Sequence, residues 1–306
     1  MTVSQEIVVE TKGLTKRFGK ITAVDELDIE VRQGEIFGFL GPNGSGKSTT
    51  MGMILGLIAP TSGSVRVFSM DVRHNLPSIL RRTGALTEST GFYPYLSGRE
   101  NLRYFARITG GVADSRVEEV LETVDLTKRA DDPFSNYSLG MKQRLGLASA
   151  LLGDPEFIIL DEPTNGLDPA GMKEIRQLII KLGELGKTVF LNSHLLHEVQ
   201  QVCDRVAIIK KGRIITQGAV KELLNRKNQL QIRTTETQKA FELLSAQDWL
   251  KEVTRDDERI LIEIEPENSF KVSAFLAEHG VYLKEMRYFE SSLEDLFLKL
   301  TGEEAL

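Results

Sequence analysis

The eight residues Gly41-Pro42-Asn43-Gly44-Ser45-Gly46-Lys47-Ser48 constrain this chain more than any other segment. They fit G-x-x-x-x-G-K-[ST], the spacing of a loop that wraps backbone N–H groups around phosphate. Glycines let the backbone approach the phosphates and adopt positive φ. The exposed N–H groups then form an anion nest, backed by the positive end of the next helix. Lys47 supplies a point charge to terminal phosphates, Ser48 offers a hydroxyl to Mg²⁺, and Thr49 is placed to reach a neighbouring phosphate oxygen. A glycine-rich turn matching by chance is the bland competitor. Context argues against it: the motif follows the apolar run Glu35–Leu40 and precedes a helical pattern over 49–57.

The rest of the pattern is consistent with such a unit. Residues 6 to about 33 read as short strands, and Leu27-Asp28-Ile29-Glu30-Val31 alternates with period two, a strand with one wet face. Glu35–Leu40, Phe157–Leu160 and Thr188–Leu191 are continuous apolar runs, as parallel strands buried on both faces require. Ser97-Gly98-Arg99-Glu100 has the capping-box spacing ahead of a helix. Asp168-Pro169 opens another, which runs out near Gly183 or Gly186. Between about 91 and 155 the pattern is mostly helical, enough for a subdomain inserted between strands. The chain therefore reads as α/β, with a parallel-sheet phosphate-binding core, an antiparallel β subdomain and a helical subdomain.

The periodicity breaks near Asn225–Gln229. We divide the chain into 1–224 and an accessory α+β domain at 229–306. The latter reads as strand (230–233), helix (238–245), strand (260–265), helix (270–278), strand (282–288) and a closing amphipathic helix (293–300). A further strand falls within 249–254. That order predicts a small ferredoxin-like unit. It carries no visible catalytic constellation, which leaves dimer stabilisation or regulation as its expected role.

Composition excludes several classes. Hydrophobic residues make up 41% and charged residues 27%, which rules out a disordered or collagen-like chain. A net charge of −6 argues against broad nucleic-acid binding, which rests on phosphate neutralisation. Cys203 is the single cysteine, so no disulfide scaffold is expected. The opening residues lack a basic region followed by an apolar run, so no signal peptide is expected. No stretch approaches the ~20 apolar residues of a membrane span, so a membrane role would run through a partner.

A second group of residues narrows the chemistry. Asp161 and Glu162 end the apolar run at Leu160, where Asp161 is placed to hold Mg²⁺ directly or through water. Glu162 is placed to orient or deprotonate an attacking water. Such a pair alone often just caps a turn; beside a phosphate loop the functional reading prevails. Tyr137-Ser138-Leu139-Gly140-Met141-Lys142-Gln143-Arg144, Asn165-Gly166-Leu167-Asp168, His194 and Phe18 follow in order. Over roughly residues 5–220 the chain thus resembles the ATP-binding subunits of ATP-binding-cassette transporters.

The resemblance implies ATP and Mg²⁺ as cofactors, and it implies roles. Residues 137–144 resemble the family's signature, 165–168 its D-loop and His194 its switch histidine. Phe18 lies where the family stacks an aromatic on adenine, and Glu88 where it has the metal-contacting glutamine of the Q-loop. A plain helix cap is the bland competitor at Ser138 and a core residue the competitor at Phe18; the order and spacing of the motifs favour the functional reading of both. His194-Leu195-Leu196-His197 has a metal-like spacing but no further ligands. Two departures stand out: Leu139 and Met141 replace a glycine and a glutamine of the signature, and Glu88 replaces the glutamine. These variations, with Ser292–Phe297, look like bacterial exporter ATPases linked to drug and peptide-antibiotic resistance.

The implied mechanism is a head-to-tail pair of chains, identical or with a second such ATPase, closing over two ATP. Each site joins Lys47, Ser48, Glu88, Asp161, Glu162 and His194 of one chain to Ser138 and Gly140 of the other. Closure would drive a polytopic membrane permease from the cytoplasmic face of the membrane, exporting a drug, peptide or lipid-like compound. Phe92, Tyr93 and Tyr95 either receive a permease helix or simply pack the subdomain. Translation-associated ATPases with two cassettes, chromosome-maintenance ATPases with a long coiled coil, and a non-hydrolysing ATP-binding switch are the rival readings.

Overall fold

The computed structural model describes residues 6–87, 91–224, 229–289 and 292–301. The chain divides into two compact units, the first running to Val220 and the second beginning at Lys221.

The first unit opens with β1 (Ile7–Phe18) and β2 (Ile21–Arg32), two long antiparallel strands rather than several short ones. In β2 Leu27, Ile29 and Val31 are buried while Asp28, Glu30 and Arg32 are exposed, the alternation of a strand wet on one side. Then come β3 (Ile36–Leu40), α1 (Lys47–Ile54), β4 (Ser62–Val67), β5 (Met70–Asp71), α2 (Val72–Leu80) and β6 (Thr83–Leu86). Strands β1, β2, β4 and β5 form one antiparallel sheet in the order β2-β1-β4-β5.

The helical insertion holds α3 (Gly98–Ile108), α4 (Asp114–Thr123) and α5 (Leu139–Leu151). Ser97 caps α3 as its spacing predicts: its hydroxyl accepts from the Glu100 N–H and Glu100 accepts from the Ser97 N–H. Fully buried Asn101 pins the preceding turn, accepting from the Tyr93 N–H (2.8 Å) and donating to the Tyr93 and Ser97 carbonyls. Phe92 is buried and packs on Phe105 and Phe134. The aromatic trio expected to share one fate therefore splits: Phe92 belongs to the subdomain core, while Tyr95 is 75% exposed.

The chain returns through β7 (Phe157–Asp161), α6 (Pro169–Glu184), β8 (Thr188–Ser193), α7 (Leu196–Val202), β9 (Arg205–Lys210), β10 (Arg213–Ala219) and α8 (Val220–Leu224). The main sheet has the order β10-β9-β3-β8-β7-β6. The five strands from β9 to β6 in that order run parallel, and β10 pairs antiparallel with β9. Every residue of β3, β7 and β8 is buried, because one face packs on the antiparallel sheet and α1 and the other is covered by helices such as α6 and α7. Phe37, Phe39 and Phe190 interlock across β3 and β8, with ring centroids 5.5–5.8 Å apart. Burying such a ring contributes roughly 1.5–3 kcal/mol. This core fixes the carboxyl ends of β3, β7 and β8 side by side, where open α/β sheets bind ligands.

The second unit has β11 (Gln229–Thr234), α9 (Thr237–Ser245), β12 (Glu252–Asp256), β13 (Arg259–Glu263), α10 (Ser269–Glu278), β14 (Leu283–Phe289) and α11 (Leu293–Thr301). Its sheet, β12-β13-β11-β14, is wholly antiparallel. That is the β-α-β-β-α-β arrangement expected of a ferredoxin-like unit. Leu230, Ile232, Ile260 and Ile262 of the sheet form one core with Ala240, Leu244, Val272 and Leu276 of the helices.

Candidate functional site

Three strand ends converge on one cavity of about 330 Å³. From the loop after β3 come Asn43, Gly44, Gly46, Lys47, Ser48 and Thr49; from β7, Asp161 and Glu162; from β8, Asn192 and His194. Helix α1 begins at Lys47 and ends at Ile54, two residues before the expected start and three before the expected end. Gly46 sets that start: as the N-cap it sits at φ 110, a conformation that only glycine adopts without strain.

Gly41, Pro42 and Ser45 form the outer side of the loop and do not line the cavity. Gly41 is required by close approach, since a Cβ there would lie 2.3 Å from the Ile209 carbonyl oxygen. Ser45 is buried, its N–H donates to the Pro42 carbonyl and its own carbonyl accepts from the Gly212 N–H.

Lys47 is buried, and its ammonium donates to the Gly41 carbonyl at 2.6 Å and the Pro42 carbonyl at 3.3 Å. Glu162 Oε1 is 4.0 Å away. Burial pushes the lysine below its ordinary value, and the Glu162 and Asp161 carboxylates push it back up. A cation held this way lacks a full water shell, and its charge would act strongly on an anion entering the cavity.

Glu162 follows the last residue of β7 at φ 47, in the left-handed region. Its N–H donates to the Asn192 carbonyl (2.9 Å), which fastens β7 to β8 where the strands end. The turn aims the carboxylate at His194, whose Nδ1 lies 2.8 Å from Glu162 Oε2 and whose backbone N–H donates to the same oxygen (3.3 Å). His194 thus meets one carboxylate oxygen with both its ring and its backbone. Asp161 is buried and accepts from the Asn192 amide.

The structure brings Lys47, Ser48, Thr49, Asp161, Glu162 and His194 together and leaves other predicted residues elsewhere. Ser138 caps α5 by accepting from the Met141 N–H, at 3.2 Å. Gly140 neighbours Leu167, and Leu139 packs against Gly166. None of the three lines the cavity. Asp168 caps α6 through the Gly171 N–H. Phe18 ends β1, half exposed rather than in the core, with the Lys16 ammonium 4.9 Å from its ring centre. Glu88 lies outside the described residues.

Sequence reasoning assigned no role to Asn192 or Ala23, which line the cavity, and it placed Asn165, also in the lining, only as part of the D-loop segment. For Asn192 a signal existed. A polar amide at the end of a strand buried on both faces must have a buried partner, and β8 pairs it in register with Asp161.

The ABC transporter family profile matches residues 24–165. The bacitracin transport ATP-binding protein BcrA of Enterococcus faecalis is 39% identical over 299 residues, 97% of each chain. This chain belongs to the ATP-binding subunits of ABC transporters. The daunorubicin/doxorubicin resistance ATP-binding protein DrrA of Streptomyces peucetius is 34% identical over 97% of this chain and 93% of its own. Among solved structures, a dimeric post-hydrolysis ATP-binding cassette bound to ADP and Pi superposes with a TM-score of 0.63. It is 28% identical over 69% of this chain and 98% of its own.

As an ABC ATP-binding subunit the chain binds ATP and hydrolyses it in the service of transport. The cavity at the ends of β3, β7 and β8 holds the residue types that chemistry needs. No helix of the described residues is long and apolar enough to cross a membrane.

Proposed function

We propose that two copies of this chain close head to tail over two ATP molecules and thereby drive a polytopic permease that exports a drug or peptide-antibiotic type of compound. The observation that carries the pairing is the split of the site. Lys47, Glu162 and His194 surround one cavity, while Ser138 and Gly140 sit at the N-terminus of α5 outside it. A second chain can bring that helix end to the γ-phosphate, adding N–H donors and a positive dipole end where negative charge is densest. Full-length similarity to the bacitracin transport and daunorubicin/doxorubicin resistance ATP-binding proteins supports the export reading.

Within each site, the loop amides and Lys47 bind the phosphates, and Phe18, at the open end of β1, stacks on adenine. Glu162 orients the attacking water and takes its proton, and His194 keeps that carboxylate aimed. Ser48 and Asp161 would hold Mg²⁺, a hydroxyl and a carboxylate lining the same cavity; the ion supplies screening of phosphate charge. Asp168 keeps the loop after Glu162 in place by capping α6. Glu88 would join Mg²⁺ where the family has glutamine. Because ATP favours the closed pair, its binding closes the pair and its hydrolysis releases it. The chain then works at the cytoplasmic face, held there by the permease. Residues 1–224 form the nucleotide-binding domain, with its helical subdomain at about 91–155, and residues 229–306 regulate or stabilise the pair.

The test is recovery of the tagged chain from gently solubilised membranes of its native cell. A stoichiometric polytopic membrane protein is the expected companion. Recovery only in the soluble fraction, or with ribosomes, would refute the coupling to a permease.

A further inference from the structure

The turn between β9 and β10 makes contacts that the chemistry above does not use. Lys211 and Gly212 form a two-residue hairpin turn with φ of 50 and 81, the mirror-image geometry that matches strand twist. Gly212 bonds two segments that lead into the nucleotide cavity, the phosphate loop just before Gly46 and the stretch just after Ala23. Its N–H donates to the Ser45 carbonyl at 2.8 Å, and its carbonyl accepts from the Asp25 N–H at 2.9 Å. The turn lies flush on the backbone of Ala23 and Val24: a Cβ on Gly212 would meet the Ala23 carbonyl oxygen at 2.9 Å. Arg213 adds an ion pair to Asp25 at 2.6 Å.

The contact with Ser45 has a directional consequence. The peptide between Ser45 and Gly46 is trans, as are all in the described chain. In a planar trans peptide the C=O and N–H point in opposite directions. Gly212 does not line the cavity, whereas Gly46 does. Drawing the Ser45 oxygen toward the hairpin therefore turns the Gly46 N–H away from it, toward the cavity. Without that anchor the peptide is free to rotate, and its carbonyl would then oppose a phosphate.

The geometry points to Gly212 as a positioning residue for polyphosphate binding, acting through the Ser45–Gly46 peptide. The inference rests on nucleotide binding in this cavity and is independent of pairing and export. Arg213 secures the hairpin at the surface and contributes little, as exposed ion pairs do.

The experiment replaces the Lys211–Gly212 amide of the full chain by an ester through semisynthesis, which deletes one N–H and adds no bulk. Dissociation constants for MgATP and for inorganic triphosphate are measured by calorimetry against wild type and Arg213→Ala. The wild-type titration establishes the nucleotide site separately. The ester should weaken both ligands by about tenfold or more, the scale of a hydrogen bond to a charged group, with the nucleotide-free melting midpoint nearly unmoved. Arg213→Ala should stay within about threefold of wild type. Unchanged triphosphate affinity in the ester overturns the inference, because a loss confined to ATP belongs to the Ala23 wall. An equal loss in Arg213→Ala overturns it too, since hairpin stability would then explain both. Should the ester fail to refold, Gly212→Ala, which strains the same turn, is read by the same two ligands.

Discussion

Replacing Lys47 by Met separates binding from structure. Methionine keeps the length of the buried stem and removes the charge. In the wild type the ammonium sits 4.0 Å from Glu162 Oε1 and within 3.3 Å of two loop carbonyls. At that separation a pair of unit charges interacts by about 4 kcal/mol at an effective dielectric constant near 20. A phosphate oxygen in hydrogen-bonding reach of Lys47 gains an interaction of that order, so ATP affinity should fall at least ~100-fold by the ~1.4 kcal/mol-per-decade rule. Folding stability should move far less. The variant loses two hydrogen bonds to carbonyls, but it is relieved of burying the ammonium, the burial that pushes Lys47 downward. A net change of about 1 kcal/mol would shift the midpoint of a domain this size by roughly 2–4 °C. Titration calorimetry and thermal unfolding without nucleotide give both numbers. ATP affinity within threefold of wild type would refute the phosphate role of Lys47. So would a fall in affinity that merely tracks loss of the folded state.

Three further outcomes follow from the same geometry. His194→Ala should lower turnover by about 10²-fold, the scale of positioned acid–base groups, while leaving ATP affinity within a few-fold; weaker binding with intact turnover would contradict the Glu162–His194 arrangement. Asn192→Leu removes the donor to Asp161 and also the side-chain amide oxygen Oδ1, which is buried without a partner. These effects oppose each other, so stability should change by only about 1 kcal/mol while the Mg²⁺ needed for half-maximal ATP binding rises tenfold; an unchanged Mg²⁺ dependence would sink the link. Asp71 caps α2, and hydrogen bonds from Arg73 lower its carboxyl from 3.8 to about 2. A depressed carboxylate stabilises the fold fully above the unfolded value and loses that contribution as pH falls through the folded one. The stability advantage of wild type over Asp71→Asn in urea should therefore hold at pH 5 and vanish near pH 2; an unchanged gap at pH 2 would contradict it.

Local signals were the legible ones. The phosphate loop, the Ser97 capping box and the Asp168-Pro169 helix start depend on residues within a few positions, and each stands where its spacing placed it. The doubly buried strands were legible because burial on both faces leaves unbroken apolar runs. Illegible features depend on pairing between distant segments. Asn192 acquires its meaning from register with Asp161, 31 residues away. Gly212 acquires its own from a turn that docks on Ser45 and Ala23. Helix α1 begins earlier than its apolar pattern indicated, because its start is set by the backbone of Gly46 rather than by side-chain periodicity. The expected strand within 249–254 appears as β12 at Glu252–Asp256, where pairing with β13 fixes its limits.

The central claim is that ATP joins two copies of this chain and that Glu162 acts only afterwards. Its most direct test is the mass in solution of Glu162→Gln with MgATP, read by size exclusion with light scattering. Glutamine keeps the side-chain shape beside His194 and removes the base, so nucleotide should bind without turning over. The account predicts a monomer without nucleotide, a stable dimer with MgATP, and hydrolysis reduced to a small fraction of wild type. A variant that binds ATP yet stays monomeric, or that hydrolyses ATP at the wild-type rate, would contradict it.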